Sequence, residues 1–257
     1  MAIEKNIHTI VGAFKNNLKS VDELVNFDRE VLEFAITSIS TLKEKLKKHH
    51  RLENPHLTAQ NTLSLLKNVK KNDSLRPRYK TIFNQGLVLL VSYFGSTVSE
   101  LFKHSASIVL KSDENSRLLK EEIKLSLQEL RDMNFDLGES IGDILVLKKD
   151  MSFQDMKSIS RCFKSYFDID AEKDSDVNNI IFGQACRHSI VHAGGIVDDR
   201  LMHQVSSAFP RDVKNSLPEG ATLAFNPKEL KIISESMMKY VESLGTKLGV
   251  SLKSIPI

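Results

Sequence analysis

The sequence predicts an all-α fold, a multi-helix bundle, and three observations lead there. Apolar residues recur at spacings of three and four over most of the chain. Glycine (11) and proline (6) are scarce among 257 residues, and tryptophan is absent. That composition favours long helices over short strands joined by tight turns. The hydrophobic fraction of 41% supplies a core, and the 27% charged fraction a solvated surface. Together they exclude a generally disordered chain.

The first helical pattern runs through Ile3, Ile7, Ile10, Val11, Phe14 and Leu18. It continues in Val21, Leu24, Val25, Val31, Leu32 and Ile36, then in Ile39, Leu42 and Leu46. Breaks are expected near Lys19-Ser20 and Phe27-Asp28. The stripe suits packing against the rest of the protein, and its partly heptad-like spacing also suits a dimer or partner helix. Pro55 is expected to end this helix, and a short helical piece follows around Leu63 to Val69. Arg78 to about His104 reads as the central buried helix, with Ile82, Leu87, Leu90, Val91, Phe94, Val98 and Leu101 as its core. Ser112 to Ser116 reads as a loop and Leu118 to Met133 as a helix. Gly138 to Asp150 reads as irregular, its Ile144–Leu147 run being too short to assign.

Ser152 is expected to cap a helix that runs to about Phe167. An acidic linker follows from Asp168 to Asp176, and Asp176 is expected to cap the next helix, which Gly194-Gly195 stops. Residues 197–220 read as loop with one helical turn. Asn226-Pro227-Lys228-Glu229 combines a cap residue, a proline at the first helical position and a glutamate at the third. The last helix runs from there to about Leu248. No repeat of fixed period stands out. The expected organisation is an N-terminal helical extension over 1–77 and a helical domain over 78–257.

The net charge is only +3, so the distribution of charge matters more than its sum. Lys43 to Arg51 forms one basic zone, and Lys67, Lys70, Lys71, Arg76, Arg78 and Lys80 a second. Lys47, Lys48, Arg51, Lys70, Lys71, Arg76 and Arg78 are the candidates to track an RNA phosphate backbone; a solvated helix face is the other reading. Cys162 and Cys186 form no CxxC pair and no disulfide framework, which points to a reduced, cytoplasmic protein. The N-terminus leads into an amphipathic pattern and not the apolar stretch of a signal peptide. The longest apolar run, Leu87 to Val91, is far short of the roughly 20 residues of a membrane helix, so no membrane partner is expected.

The chemistry-bearing segment is Ala185-Cys186-Arg187-His188-Ser189-Ile190-Val191-His192-Ala193-Gly194-Gly195. His188 and His192 are four apart and share a helix face. Arg187 lies about 100° from His188 and about 140° from His192. Near a helix C-terminus the dipole favours positive charge and raises a histidine pKa, which suits His192 as a general acid. RNA cleavage needs a group to take the 2′-hydroxyl proton, a cation for the nonbridging oxygens and a proton for the leaving 5′-oxygen. A histidine and an arginine supply these needs through acid–base work and electrostatic stabilisation, and no metal is needed in principle.

The run Arg187-His188-Ser189-Ile190-Val191-His192 resembles the Arg-polar-x-x-x-His signature of the HEPN superfamily of helical ribonucleases. Ala193-Gly194-Gly195-Ile196-Val197-Asp198 is similar to the continuation in the RiboL-PSP-HEPN-like branch, and Leu87 to Phe102 resembles that branch's early core helix. The resemblance covers about residues 78 to 250. It implies an all-α bundle that dimerises, with the motif helices of two protomers meeting across a shared cleft. The implied activity is metal-independent endoribonuclease cleavage in toxin–antitoxin or antiviral defence. RNA and an antitoxin or inhibitor protein are the implied partners. It assigns catalysis to Arg187 and His192 and a supporting polar role to His188. Many relatives carry an acidic residue near the position of Gly95; here the nearest is Glu100. Some carry a tyrosine, modified by a partner nucleotidyltransferase, where this chain has Ala193-Gly194-Gly195, so that control is not implied.

Two other readings of the same residues stand beside this one. In a non-catalytic helical RNA-binding or protein-interaction module, Arg187 would pair with Asp198 or Asp199 and His192 would bond a carbonyl. In a metal site, Cys186, His188 and His192 would be ligands, but Cys186 points about 200° from His188 on an ideal helix. Cys186 therefore reads as a packed core residue. Ser189 suits either a substrate contact or a neutral helix position. His49 and His50 read as exposed, and His104 as a local cap partner.

Overall fold

A computed structural model of the chain describes residues 2–48, 55–72, 79–112, 116–135, 137 and 140–253. Among these residues the fold is all-α, nine helices with no strand and only an isolated bridge between Ile196 and Thr222. The helices are α1 (Ala2–Lys48), α2 (Pro55–Lys71), α3 (Lys80–Ser112), α4 (Leu127–Asp132), α5 (Ile141–Lys148), α6 (Met156–Phe167), α7 (Ser175–His192), α8 (Asp199–Val205) and α9 (Pro227–Lys253).

The axis of the bundle is α3. Phe83, Leu87, Leu90, Val91, Phe94, Val98, Leu101, Phe102, Ala106 and Val109 are all buried along it. The neighbours α1, α5, α7 and α9 pack around it. This helix contains an 18-residue window apolar enough to cross a membrane, and half of that window is buried inside the bundle. At its centre the Phe102 ring meets Phe153, Phe163, Tyr166 and Phe167, with centroids 5.4 to 5.9 Å apart. Edge-on and tilted contacts of this kind add to what simple burial contributes.

The first helix is continuous through both expected breaks. No glycine or proline falls there, and the polar residues find partners on their own helix: Asn26 Nδ2 donates to the Asp22 carbonyl at 3.0 Å. At about 1.5 Å per residue, the 47 residues of α1 span about 70 Å. Its first half places Ile7, Phe14, Leu18, Val21 and Val25 in the same core as α3, α7 and α9. Its second half pairs with α2. The expected extension thus begins inside the main core, and the 77/78 boundary falls outside the described residues.

Several other elements differ from expectation. Pro55 opens α2 instead of ending a helix, as the missing N–H of a first-turn proline permits. The segment expected as one helix over Leu118–Met133 is divided. A 3-10 turn at Arg117–Lys120 is followed by extended chain, and Ser126 restarts a helix through a reciprocal capping box with Glu129. The unassigned Ile144–Leu147 run is helical, because Gly142 lets α5 lie directly against the α3 backbone. Asp155, not Ser152, caps α6 by accepting from Ser158 N at 2.8 Å. Asn226 and Glu229 do form the expected reciprocal cap of α9, at 2.9 and 3.0 Å.

Two glycine substitutions should act with opposite sign. A Cβ on Gly142 would lie 2.4 Å from the Lys103 carbonyl oxygen, whereas one on Gly12 meets nothing within 4 Å. In denaturant unfolding, Gly142→Ala should therefore cost about 1–3 kcal/mol through overpacking. Gly12→Ala should stabilise by about 0.5–1 kcal/mol through helix propensity.

Candidate active site

The site is carried by α7, and the helix is pinned at its far end first. Asp174, two residues before the expected cap, accepts from Val177 N at 2.8 Å. Asp176 is displaced from that role because its carboxylate accepts from Ser236 Oγ at 2.8 Å and from Lys239 Nζ at 3.0 Å. The wholly buried Asn179 donates to Asp212 Oδ2 and Ser236 Oγ, and its carbonyl accepts from Asp212 N at 2.9 Å. Ile180, Phe182 and Cys186 then face the core with essentially no exposure.

At the other end the helix delivers Arg187 and His188, both half-buried, and His192, exposed. The Ser189 carbonyl accepts from both Ala193 N and Gly195 N, at 2.8 and 2.9 Å. Gly194 and Gly195 take φ values of +64° and +72° to make that turn, a region where a Cβ is strained. The Ser189 hydroxyl donates to the Ile196 carbonyl at 2.8 Å, so it serves the turn. The chain then folds back, with Leu223 N donating to the Gly195 carbonyl at 2.7 Å. Asn84 at the start of α3 holds that returning segment through the Leu223 carbonyl, at 3.0 Å. The functional end of α7 therefore sits on fixed backbone.

The imidazoles of His188 and His192 lie with ring centroids 4.8 Å apart and planes inclined at 45°. Burial pulls the His188 pKa below its ordinary value, and Arg200, His192 and Arg187 pull it further, against a smaller opposing effect of Asp198. This is the reverse of the rise that a helix end by itself would give a histidine: burial first, and the neighbouring positive charge after it, favour the neutral imidazole. Arg187 Nε is buried and has no hydrogen-bond partner. No ion pair forms between Arg187 and Asp198 or Asp199 among the described residues. Asp198 instead caps α8 through Leu201 N at 2.8 Å.

Two residues absent from the sequence-based site belong here. Arg200, in the first turn of α8, completes a cluster of Arg187, His188, His192 and Arg200. Gln184, one turn before His188, accepts from Met156 N at 2.9 Å while its buried Nε2 lacks a partner. The Asp198-x-x-Leu201 cap was the available signal for Arg200. Nothing local marks Gln184.

Other candidates lie elsewhere. Cys186 is wholly buried, and burial drives its pKa well above the ordinary thiol value. It does not join the histidines, and no cluster of three His, Cys, Asp or Glu side chains suited to a metal exists among the described residues. Glu100 pairs with Lys103 at 2.9 Å, sixteen residues along α3 from Asn84, or about 24 Å. It therefore does not support the site. A Cβ on Gly95 would lie 3.0 Å from the Phe153 carbonyl oxygen, so this fold has little room there for an acidic side chain.

Among the described residues, Lys47 of the first basic zone and Lys70 of the second lie apart. Lys47 pairs with Glu44 at 3.0 Å near the end of α1, while Lys70 pairs with Glu33. Glu33 and Lys47 are fourteen residues apart on one helix, about 21 Å. Lys71 is exposed at the end of α2, and Lys48 closes α1. Arg51, Arg76 and Arg78, with His49 and His50, lie outside the described residues.

The fold and site thus define an all-α bundle that presents an arginine–histidine cluster at a helix end. Among known proteins, the chain is 31% identical over 137 residues to Autophagy-related protein 23 of Candida glabrata. The match takes in 52% of this chain and 30% of that protein. No family model matches the chain, and no solved structure matches it.

The folded protein resists protonation of His188, so its contribution to stability is present above the ordinary imidazole pKa and is lost as pH falls toward the lowered value. An NMR titration should place the His188 midpoint below that of an unstructured histidine. Asp198→Asn should lower it further, and Arg200→Ala should raise it.

Proposed function

We propose that this protein is a metal-independent endoribonuclease of the cytoplasm, acting as a toxin or antiviral defence effector. The observation that carries the reading is the convergence of Arg187, His188, His192 and Arg200 on one rigid helix end, with Arg187 Nε buried and unpaired. A cluster of cations without a neutralising carboxylate pair suits an anion such as an RNA phosphate. The resemblance of Arg187 through His192 to the HEPN signature supports the same chemistry.

In this mechanism Arg187 holds the nonbridging phosphate oxygens, and Arg200 adds positive potential from α8. Burial and the neighbouring positive charge favour the neutral form of His188, whose lone pair can take the 2′-hydroxyl proton. The 2′-oxygen attacks phosphorus, and the bond from phosphorus to the 5′-oxygen breaks. His192 serves as the acid that gives that oxygen its proton. The products are a 2′,3′-cyclic phosphate and a free 5′-hydroxyl, and each proton is accounted for. A second copy presenting the same end of α7 would double the cations in the cleft.

A second reading is a non-catalytic helical interaction module. It is favoured by the apolar residues exposed on α1 and by the partial similarity to an autophagy-related protein.

The discriminating experiment is incubation with single-stranded RNA in EDTA, with the ends of the products mapped. The nuclease reading expects cleavage with 2′,3′-cyclic phosphate ends. Arg187→Ala and His192→Ala should each lower the rate by about 10²–10⁴-fold, the range of general acid–base and charge stabilisation. No cleavage by the unaltered chain, or cleavage by both variants at the unaltered rate, leaves the interaction module.

A further inference from the structure

We propose that α1 carries a self-association surface, on which a second copy of this chain packs antiparallel. This inference goes beyond the reading of the α7 cluster and does not depend on it.

The observation is an apolar stripe that the bundle leaves uncovered. Leu24, Phe27, Val31, Phe34 and Leu42 are 46%, 64%, 49%, 74% and 52% exposed. Four of them follow the alternating three-and-four spacing of a coiled-coil seam, and Leu42 lies in line with them. At 100° per residue all five fall within a sector about 80° wide. Val25 and Ile36 are buried on the opposite side of the helix, where α3, α9 and then α2 pack. The stripe is thus a second face of α1, directed away from its own fold.

The place of the stripe strengthens the case. Val25 lies against Gly86 near the start of α3, so α1 beyond about residue 31 runs past that end of α3, accompanied by α2. Among the described residues of this two-helix arm, only Ile36 and Leu63 are buried apolar side chains. Two helices with so thin an interior are poorly stabilised by themselves, because helices in proteins depend on tertiary packing of their apolar face. Two arms packed along their stripes bury apolar faces that each arm by itself leaves in water.

Charge sets the occupant and its direction. Glu23, which also reaches Lys19 of its own helix at 3.4 Å, and Glu30 flank the stripe on one edge near the bundle, while Lys45 lies in line with the stripe toward the far end of α1. With Val31 of one copy level with Phe34 of the other, Leu24 falls level with Thr41, and Glu23 reaches the zone from Leu42 to Lys45. A parallel pair would instead set Glu23 against Glu23 and Lys45 against Lys45, and like charges facing across a seam destabilise it. The helix contacts of α7 go mainly to α9, α3 and α8, so the stripe and the Arg187–His192 cluster belong to different helices.

Light scattering and sedimentation of the full chain at micromolar concentration provide the test. The unaltered chain should be at least a dimer of its 29.0 kDa mass. Phe27→Glu with Phe34→Glu should halve the assembly mass without altering the helical circular-dichroism spectrum. Glu23→Lys alone should weaken association by about tenfold, the scale of one well-placed charge pair. Adding Lys45→Glu to the same chain should restore it. A monomeric unaltered chain, or a mass unchanged by the double phenylalanine variant, overturns the proposal. Failure of the second charge change to restore association overturns the antiparallel arrangement. RNA cleavage is not read in any of these measurements, so the fate of the nuclease reading remains separate.

Discussion

A helix with apolar residues around most of its circumference cannot leave a broad face in water, and α3 is such a helix. Burying it requires partners on several sides, and α1, α5, α7 and α9 supply them. The closeness of that packing is set by small residues. Gly86 admits Val25 and Leu230, Gly183 of α7 admits Ile233 and lies near Leu87, and Gly142 brings the α5 backbone onto α3. Each glycine shortens an interhelical approach, so positions on different helices are held by van der Waals contact.

The candidate site inherits this rigidity. One end of α7 is fixed by Asn179, Asp176 and Ser236, and the other by the Ser189 carbonyl and the returning segment at Leu223. Between those anchors the side chains of Arg187 and His188 have little freedom to separate. Like charges held this close repel, and the cost is tolerable only near solvent or beside an anion. The half-buried position of His188 relieves part of it, since a neutral imidazole adds no further charge.

Much of the fold was legible in the residues. Long helices such as α1, α3, α7 and α9 repeat their apolar spacing over many turns, so the period stands out against local noise. Short elements do not. Only eight residues form α5, and its fate turns on the absence of a side chain at Gly142, a tertiary matter. The caps at Asp155 and Asp174 compete with equally suitable neighbours, Ser152 and Asp176, and distant partners such as Ser236 decide between them. The core of the candidate site was readable because Arg187, His188 and His192 sit on a single helix, where spacing is geometry. Arg200 arrives from a different helix after a reversal of the chain. The His188 shift follows from burial and then from that arrival, both tertiary matters that no count of helix turns could supply.

One buried cation closes the account. Arg211 is 5% exposed, and its guanidinium donates to the carbonyls of Val205, Ala208, Val213 and Lys214 between 2.8 and 3.4 Å. It lies over the rings of Phe182 and Phe209, at 4.6 and 4.0 Å. Carbonyl oxygens gathered around a positive centre are what a loop offers to a bound metal ion. Here the ion is part of the chain. It cannot dissociate, be exchanged or be chelated, so the order of the 205–214 loop against α7 is independent of any solute concentration. The loop is in effect permanently loaded, and mass action has no hold on it.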